Sequence, residues 1–255
     1  MLPTIYTEKE IEILREGGKR LNFVLHEVAK IVKDGVTPDK LNALAEKLIY
    51  EQGDVPSFLN YTTDGHNPYP SSLCVSVNDE AVHGLGKGNL KSLKEGDIVN
   101  IDLGITHKGL VTDKTLMLGV GKISSEDINL IETTKLALEA GIGAIKAGNT
   151  TGDIGNAIED LVKSRGFNVM KELGGHGVGR EVHEFPFVPN FGRKGSGDIL
   201  KEGMVIALEP IVTRGKGKIF TADDGHAYMS VDGSNVAQWE DTVLVTKQGY
   251  EILTR

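Results

Sequence analysis

Apolar residues recur along this chain with two periods, and each period occurs twice. From Lys33 onward, Leu41, Leu44, Ala45 and Leu48 fall at helical intervals, and the stretch closes at Gly53. Thr37 stands near its start, so the pattern predicts a helix with a hydroxyl residue at one end and a glycine at the other. A second copy runs from Lys146 past Thr150, through Ile154, Ala157, Ile158 and Leu161, to Gly166. Strand-sized apolar runs follow each helix, at residues 98–105 (IVNIDLGI) and 204–208 (MVIAL), with period-two segments at 115–118 and 242–245. Helices followed by strands in each half predict an α+β architecture.

Three further matches tie the halves together in the same order. Ala81-Val82-His83-Gly84-Leu85-Gly86 aligns with Gly174-Gly175-His176-Gly177-Val178-Gly179. Lys94-Glu95-Gly96 leads, six residues past its glycine, to Asp102, as Lys201-Glu202-Gly203 leads to Glu209. Asp113-Lys114-Thr115 resembles Glu240-Asp241-Thr242. Matches in register across loops of unequal length point to a duplication. No Pro-, Ser- or charge-rich linker divides the halves, so the expectation is one domain over residues 1–255, with halves at approximately 8–121 and 122–255. On this alignment each half supplies one histidine and two carboxylates.

Composition narrows the function. The 255 residues carry a formal charge of −8, which would repel phosphate backbones and anionic head groups, so neither nucleic acid nor a membrane surface is an expected partner. The apolar runs are far shorter than a bilayer span. Acidic residues in MLPTIYTEKEIEILREGG stand where a secretory signal would be apolar, and one cysteine, Cys74, permits no internal disulfide. A cytoplasmic location is expected.

Asp102 lies inside a β-rich apolar run, and Glu209 ends one, held extended by Pro210. A carboxylate there is costly unless it is paired or bound to metal. Asp113 and Glu240 precede the two period-two strands. Four converging carboxylates would raise one another's pKa, and divalent cations are their natural neutralisers. His83 and His176 sit in glycine-flanked turns, and His183 follows seven residues after His176. His26, His66 and His107 have no such setting and are expected at the surface or in packing.

These residues resemble the methionine aminopeptidases with the pita-bread fold, along nearly the whole chain. The resemblance rests on Ser76-Val77-Asn78-Asp79-Glu80-Ala81-Val82-His83-Gly84, Gly96-Asp97-Ile98-Val99-Asn100-Ile101-Asp102, Gly175-His176-Gly177-Val178-Gly179, Leu208-Glu209-Pro210 and Gln238-Trp239-Glu240-Asp241-Thr242. Only 30 residues separate Glu209 from Glu240, which is similar to the shorter, first class of the family. The resemblance implies two pseudo-symmetric halves around a dinuclear site. Asp102 would bind one metal, His176 and Glu209 the other, and Asp113 and Glu240 would bridge both. It gives Glu209 a second role as proton shuttle and places His83 and His183 on the substrate at the first peptide bond. Tyr69 and Cys74 match positions of the methionine pocket. The reaction implied is removal of initiator methionine from nascent chains with a small second residue, by a monomer in transient proximity to the ribosome. One histidine among four acids suits manganese, iron or cobalt, with zinc also compatible.

Two pocket positions depart from the family pattern. Val182 stands where phenylalanine is common, and His226 replaces an expected tryptophan. Residues 59–70 also form a longer segment than usual. Two rivals remain at this level: a proline-specific pita-bread peptidase, which usually carries a large extra N-terminal domain, and a non-catalytic relative, which typically lacks ligands.

Overall fold

The computed structural model describes residues 2–62 and 67–255; His66 and part of the 59–70 segment lie outside the described residues. Among the described residues, four helices and fifteen strands are arranged as two helices followed by strands in each half. The first half holds α1 (Glu8–Ala29), α2 (Pro38–Glu51), β1 (Val55–Pro56), β2 (Cys74–Val77), β3 (Glu80–Val82), β4 (Ile98–His107) and β5 (Leu110–Gly119). The second holds α3 (Ser125–Gly143), α4 (Thr151–Ser164), β6 (Asn168–Val169), β7 (Gly174–Gly177), β8 (Glu184–Pro189) and β9 (Val205–Leu208). It continues with β10 (Ile211–Thr213), β11 (Ile219–Thr221), β12 (Tyr228–Ser230), β13 (Val236–Gln238), β14 (Glu240–Val245) and β15 (Tyr250–Ile252).

The two helices expected from periodicity are α2 and α4. Thr37 and Thr150 are their N-caps, each accepting a backbone N–H three residues on. Gly53 and Gly166 follow at φ +77° and +81°, the left-handed geometry that ends a helix without a Cβ penalty. Helices α1 and α3 were not foreseen. Their signals were present: Thr7 and Glu10 form a reciprocal capping box, and Ser124 accepts from the Asp127 N–H.

The principal sheet runs β1-β4-β5-β14-β9-β7-β8, with β2 also on β4 and β15 on β14. Strand alternation divides its residues between two faces. Val99, Ile101, Leu103 and Ile105 of β4 pack under α1 and α2 with Leu21, Leu25, Leu41 and Ile49. Ile206, Leu208 and Val243 pack under α3 and α4 with Leu138, Ile142, Ile154 and Ile158. The opposite face therefore receives Asn100 and Asp102 from β4, and Glu240 and Thr242 from β14. Asp113 lies within β5 rather than before it, because the strand begins at Leu110.

Register exposes the internal symmetry and corrects one match. His176 pairs with Ala207, two residues before Glu209, whereas Ser76 pairs with Asn100, two residues before Asp102. Ser76, not His83, is thus the counterpart of His176. His83 follows Ser76 by seven residues, as His183 follows His176, so His83 and His183 are the related pair. The halves consequently supply one central histidine, not two. At the middle of the sheet, Thr115 donates to Glu240 Oε2 (2.8 Å), while Thr242 donates to the Asp113 carbonyl (2.7 Å) and accepts its N–H (2.9 Å).

Candidate metal centre

The four acids and His176 meet where β4, β5, β14, β9 and β7 present their helix-free face. Ligand atoms of Asp113, His176 and Glu240 all lie within 4.8 Å of one another. Glu209 Oε1 is 3.5 Å from His176 Nε2, and Asp102 is within hydrogen-bonding reach of Asp113. All five are buried. Two glycines make this approach possible: a Cβ at Gly175 would strike the Ala207 carbonyl, and one at Gly177 the Phe185 carbonyl. The glycine-flanked histidine motif is therefore a packing requirement of β7, which lies between β8 and β9.

Supporting groups fix the candidate ligand atoms. His176 Nδ1 donates to the Gly177 carbonyl (3.0 Å), which leaves the Nε2 lone pair toward the acids. Asn100 donates to Gln238 Oε1 (2.6 Å), Gln238 Nε2 donates to Glu209 Oε2 (2.9 Å), and Asn190 donates to the Glu209 carbonyl (3.0 Å). Neither Asn100 nor Asn190 was singled out from sequence, since their partners lie 138 and 19 residues away.

Asp102 Oδ1, Asp113 Oδ1 and Glu240 Oε1 are buried with no hydrogen-bond partner. Burial pushes Asp102 up to about 7, and burial with the neighbouring carboxylates pushes Asp113, Glu209 and Glu240 well above the usual range. Burial depresses His176 to about 3, keeping its imidazole neutral. Orphaned acidic oxygens and a neutral histidine form a hard donor set that fits divalent cations. A stability prediction follows from the sign of these shifts. Carboxyls with raised folded-state pKa hold protons that the unfolded chain has lost, so chelated protein loses stability as pH rises from about 4 through about 7. Calorimetry with chelator should give a lower melting temperature at pH 8 than at pH 5.5, and manganese at pH 8 should restore it.

A cavity of about 650 Å³ opens above these acids. His83, His183, Tyr69, Cys74, Val182 and His226 all line it, as do Phe58, Tyr61 and Tyr228. His83 holds a left-handed backbone (φ +60°), an unusual conformation for a residue with a side chain and one often found at sites. The adjoining Gly84 has no room for a Cβ against the Val75 carbonyl. His183 stacks edge-on against His176, centroids 4.4 Å apart. Tyr69 donates to the Gly84 carbonyl (2.7 Å) and meets the His226 ring edge-on at 5.6 Å. Burial and nearby acids push the Cys74 thiol well up, making it a protonated, apolar wall. His107 is buried against Asp54 (2.7 Å), and His26 is exposed on α1, both away from the cavity.

Known proteins resemble this chain in sequence and architecture. The model of metallopeptidase family M24 matches residues 12–247. A methionine aminopeptidase of Clostridium perfringens is 41% identical over 97% of this chain and 96% of its own length. Methionine aminopeptidase 1 of Bacillus subtilis is 38% identical, with 98% of each chain covered. The crystal structure of methionine aminopeptidase from Thermotoga maritima superposes with a TM-score of 0.95 at 38% identity, covering both chains fully, so the α+β arrangement is the pita-bread fold. A prolidase from Pyrococcus horikoshii shares that fold alone, at 23% identity and TM-score 0.76, and this chain covers 63% of it. The chain is a member of metallopeptidase family M24 and groups within it with the methionine aminopeptidases.

Proposed function

We propose that this protein removes N-terminal methionine from peptides and nascent chains whose second residue is small, using two divalent cations. The observation that carries the reading is the set of orphaned acidic oxygens beside His176 at the floor of the cavity. Asp102 would hold one cation, His176 and Glu209 the other, with Asp113 and Glu240 shared. Bound there, the cations would polarise the scissile carbonyl and make hydroxide available near neutral pH. Manganese, iron, cobalt and zinc all suit the ligands.

The chain's own groups then do the positioning. Gln238 Nε2 donates to Glu209 Oε2 and so fixes the carboxylate, and Glu209 would carry the proton from the attacking water to the leaving amine. His83 contacts the amide nitrogen of the first peptide bond, and His183 donates to its carbonyl oxygen as charge develops. Tyr69, Cys74, Val182 and His226 wall the methionine side chain. Valine in place of phenylalanine removes contact area, so norleucine and leucine should be rejected less sharply than by a fully aromatic slot.

The same reading takes residues 1–255 as one catalytic domain, with halves at approximately 8–121 and 122–255. It has the enzyme act as a cytoplasmic monomer in transient proximity to the ribosome. No helix among the described residues is long and apolar enough to cross a membrane.

The test is methionine release from Met-Ala-Ser, its loss with chelator, and no release of alanine from Ala-Pro peptides. Cleavage of Ala-Pro in preference to Met-Ala-Ser would transfer the chain to the proline-specific reading. His83→Ala and His183→Ala should retain metal and lose about 10²–10³-fold in kcat. Loss of metal from His83→Ala would show that a ligand has been misassigned.

A further inference from the structure

Backbone hydrogen bonds tie the described residues on either side of residues 63–66 together. Asn60 N–H donates to the Tyr69 carbonyl (2.8 Å), Tyr69 N–H to the Tyr61 carbonyl (2.8 Å), and Tyr61 N–H to the Phe58 carbonyl (2.9 Å). Tyr61 is therefore a fixed point at the neck of the segment. Its hydroxyl lies 2.9 Å from His183 Nδ1, and the two rings meet edge-on with centroids 5.2 Å apart at 62°.

The direction of that hydrogen bond decides which nitrogen of His183 carries the proton. A phenol has one proton to give, and a neutral imidazole has one accepting and one donating nitrogen. In the role proposed above, His183 donates from the ring nitrogen that faces the substrate, which leaves Nδ1, 2.9 Å from the phenol oxygen, to accept the phenol's proton. With Nδ1 accepting, the proton of His183 is on Nε2.

We infer that Tyr61 is a positioning residue, which holds His183 as the Nε2–H tautomer and fixes its ring so that this N–H can donate to the scissile carbonyl oxygen. The inference rests on the methionine aminopeptidase reading of the cavity. Tyr61→Phe would keep the ring contact and lose the hydroxyl, so the imidazole would be free to exchange tautomers and to tilt.

Two measurements test it. Ring 15N shifts of His183 in zinc-loaded protein should give an acceptor-type Nδ1 and a protonated Nε2, and Tyr61→Phe should move both toward averaged values. Tyr61→Phe should also lower kcat for Met-Ala-Ser about tenfold, with KM within about twofold, the scale of losing a group that orients a reacting one. The same substitution in a His183→Ala background should add nothing further. A protonated Nδ1 in the wild type would overturn the inference, as would unchanged kcat in Tyr61→Phe or an equal loss with and without His183. If the wild type releases no methionine, the functional reading fails, and the nitrogen shifts still decide the tautomer.

Discussion

Asp113→Asn and Glu240→Gln are each expected to reduce turnover by about 10³-fold or more while the chain still folds. Each substitution keeps the side chain's shape and its place on β5 or β14, so the strand registers Gly104–Asp113 and Thr115–Glu240 are undisturbed. What is lost is a formal charge between the proposed cations, whose stabilisation of the transition state amounts to several kcal/mol. The metal-free fold should gain, since each variant removes an acid that burial and neighbouring carboxylates hold protonated. The measurement is metal content by elemental analysis beside turnover of Met-Ala-Ser and a thermal melt in chelator. Wild-type turnover from a variant without bound metal would refute the two-cation reading.

Asp241→Ala is expected to cost about 3–5 kcal/mol of folding stability, the price of stranding a buried charge. Strand alternation turns Lys114 and Asp241 to the helix side, one residue along from the two acids on the other face. They pair as an ion pair, with side chains only 5% and 2% exposed. Asp241 also accepts from Thr254 (2.9 Å) and Arg255 Nε (2.7 Å), so the last residues of the chain are pinned beneath the centre of the sheet. Removing Asp241 leaves the Lys114 ammonium buried without its carboxylate, with Lys135 and Arg255 lining the same small cavity. Urea unfolding reads the loss directly, and Lys114→Met combined with Asp241→Leu should recover most of it, because two apolar groups need no partner. A loss below about 1 kcal/mol for Asp241→Ala would mean that water reaches Lys114.

The sequence by itself determined α2, α4, the main strand runs and the candidate acids. Helical spacing with threonine and glycine at the ends located α2 and α4, since caps and left-handed glycines are local requirements of the backbone. A carboxylate within an apolar strand run singled out Asp102 and Glu209, because burial of a charge needs a reason that neighbouring residues alone do not provide. Duplication then brought in Asp113 and Glu240. Local likeness misled at the histidines: glycine-rich motifs aligned His83 with His176, whereas strand register makes Ser76 the counterpart of His176, and the equal seven-residue spacing then matches His83 with His183. Glycines follow close backbone approach wherever it occurs, so they mark crowding without marking symmetry. The tertiary structure alone decided the Asn100–Gln238–Glu209 chain, the Lys114–Asp241 pair and the Tyr61–His183 contact, which join residues 138, 127 and 122 positions apart. Hydrogen bonds and ion pairs of that separation depend on which strands become neighbours and which face each side chain takes, and neither is written in any local stretch of the chain.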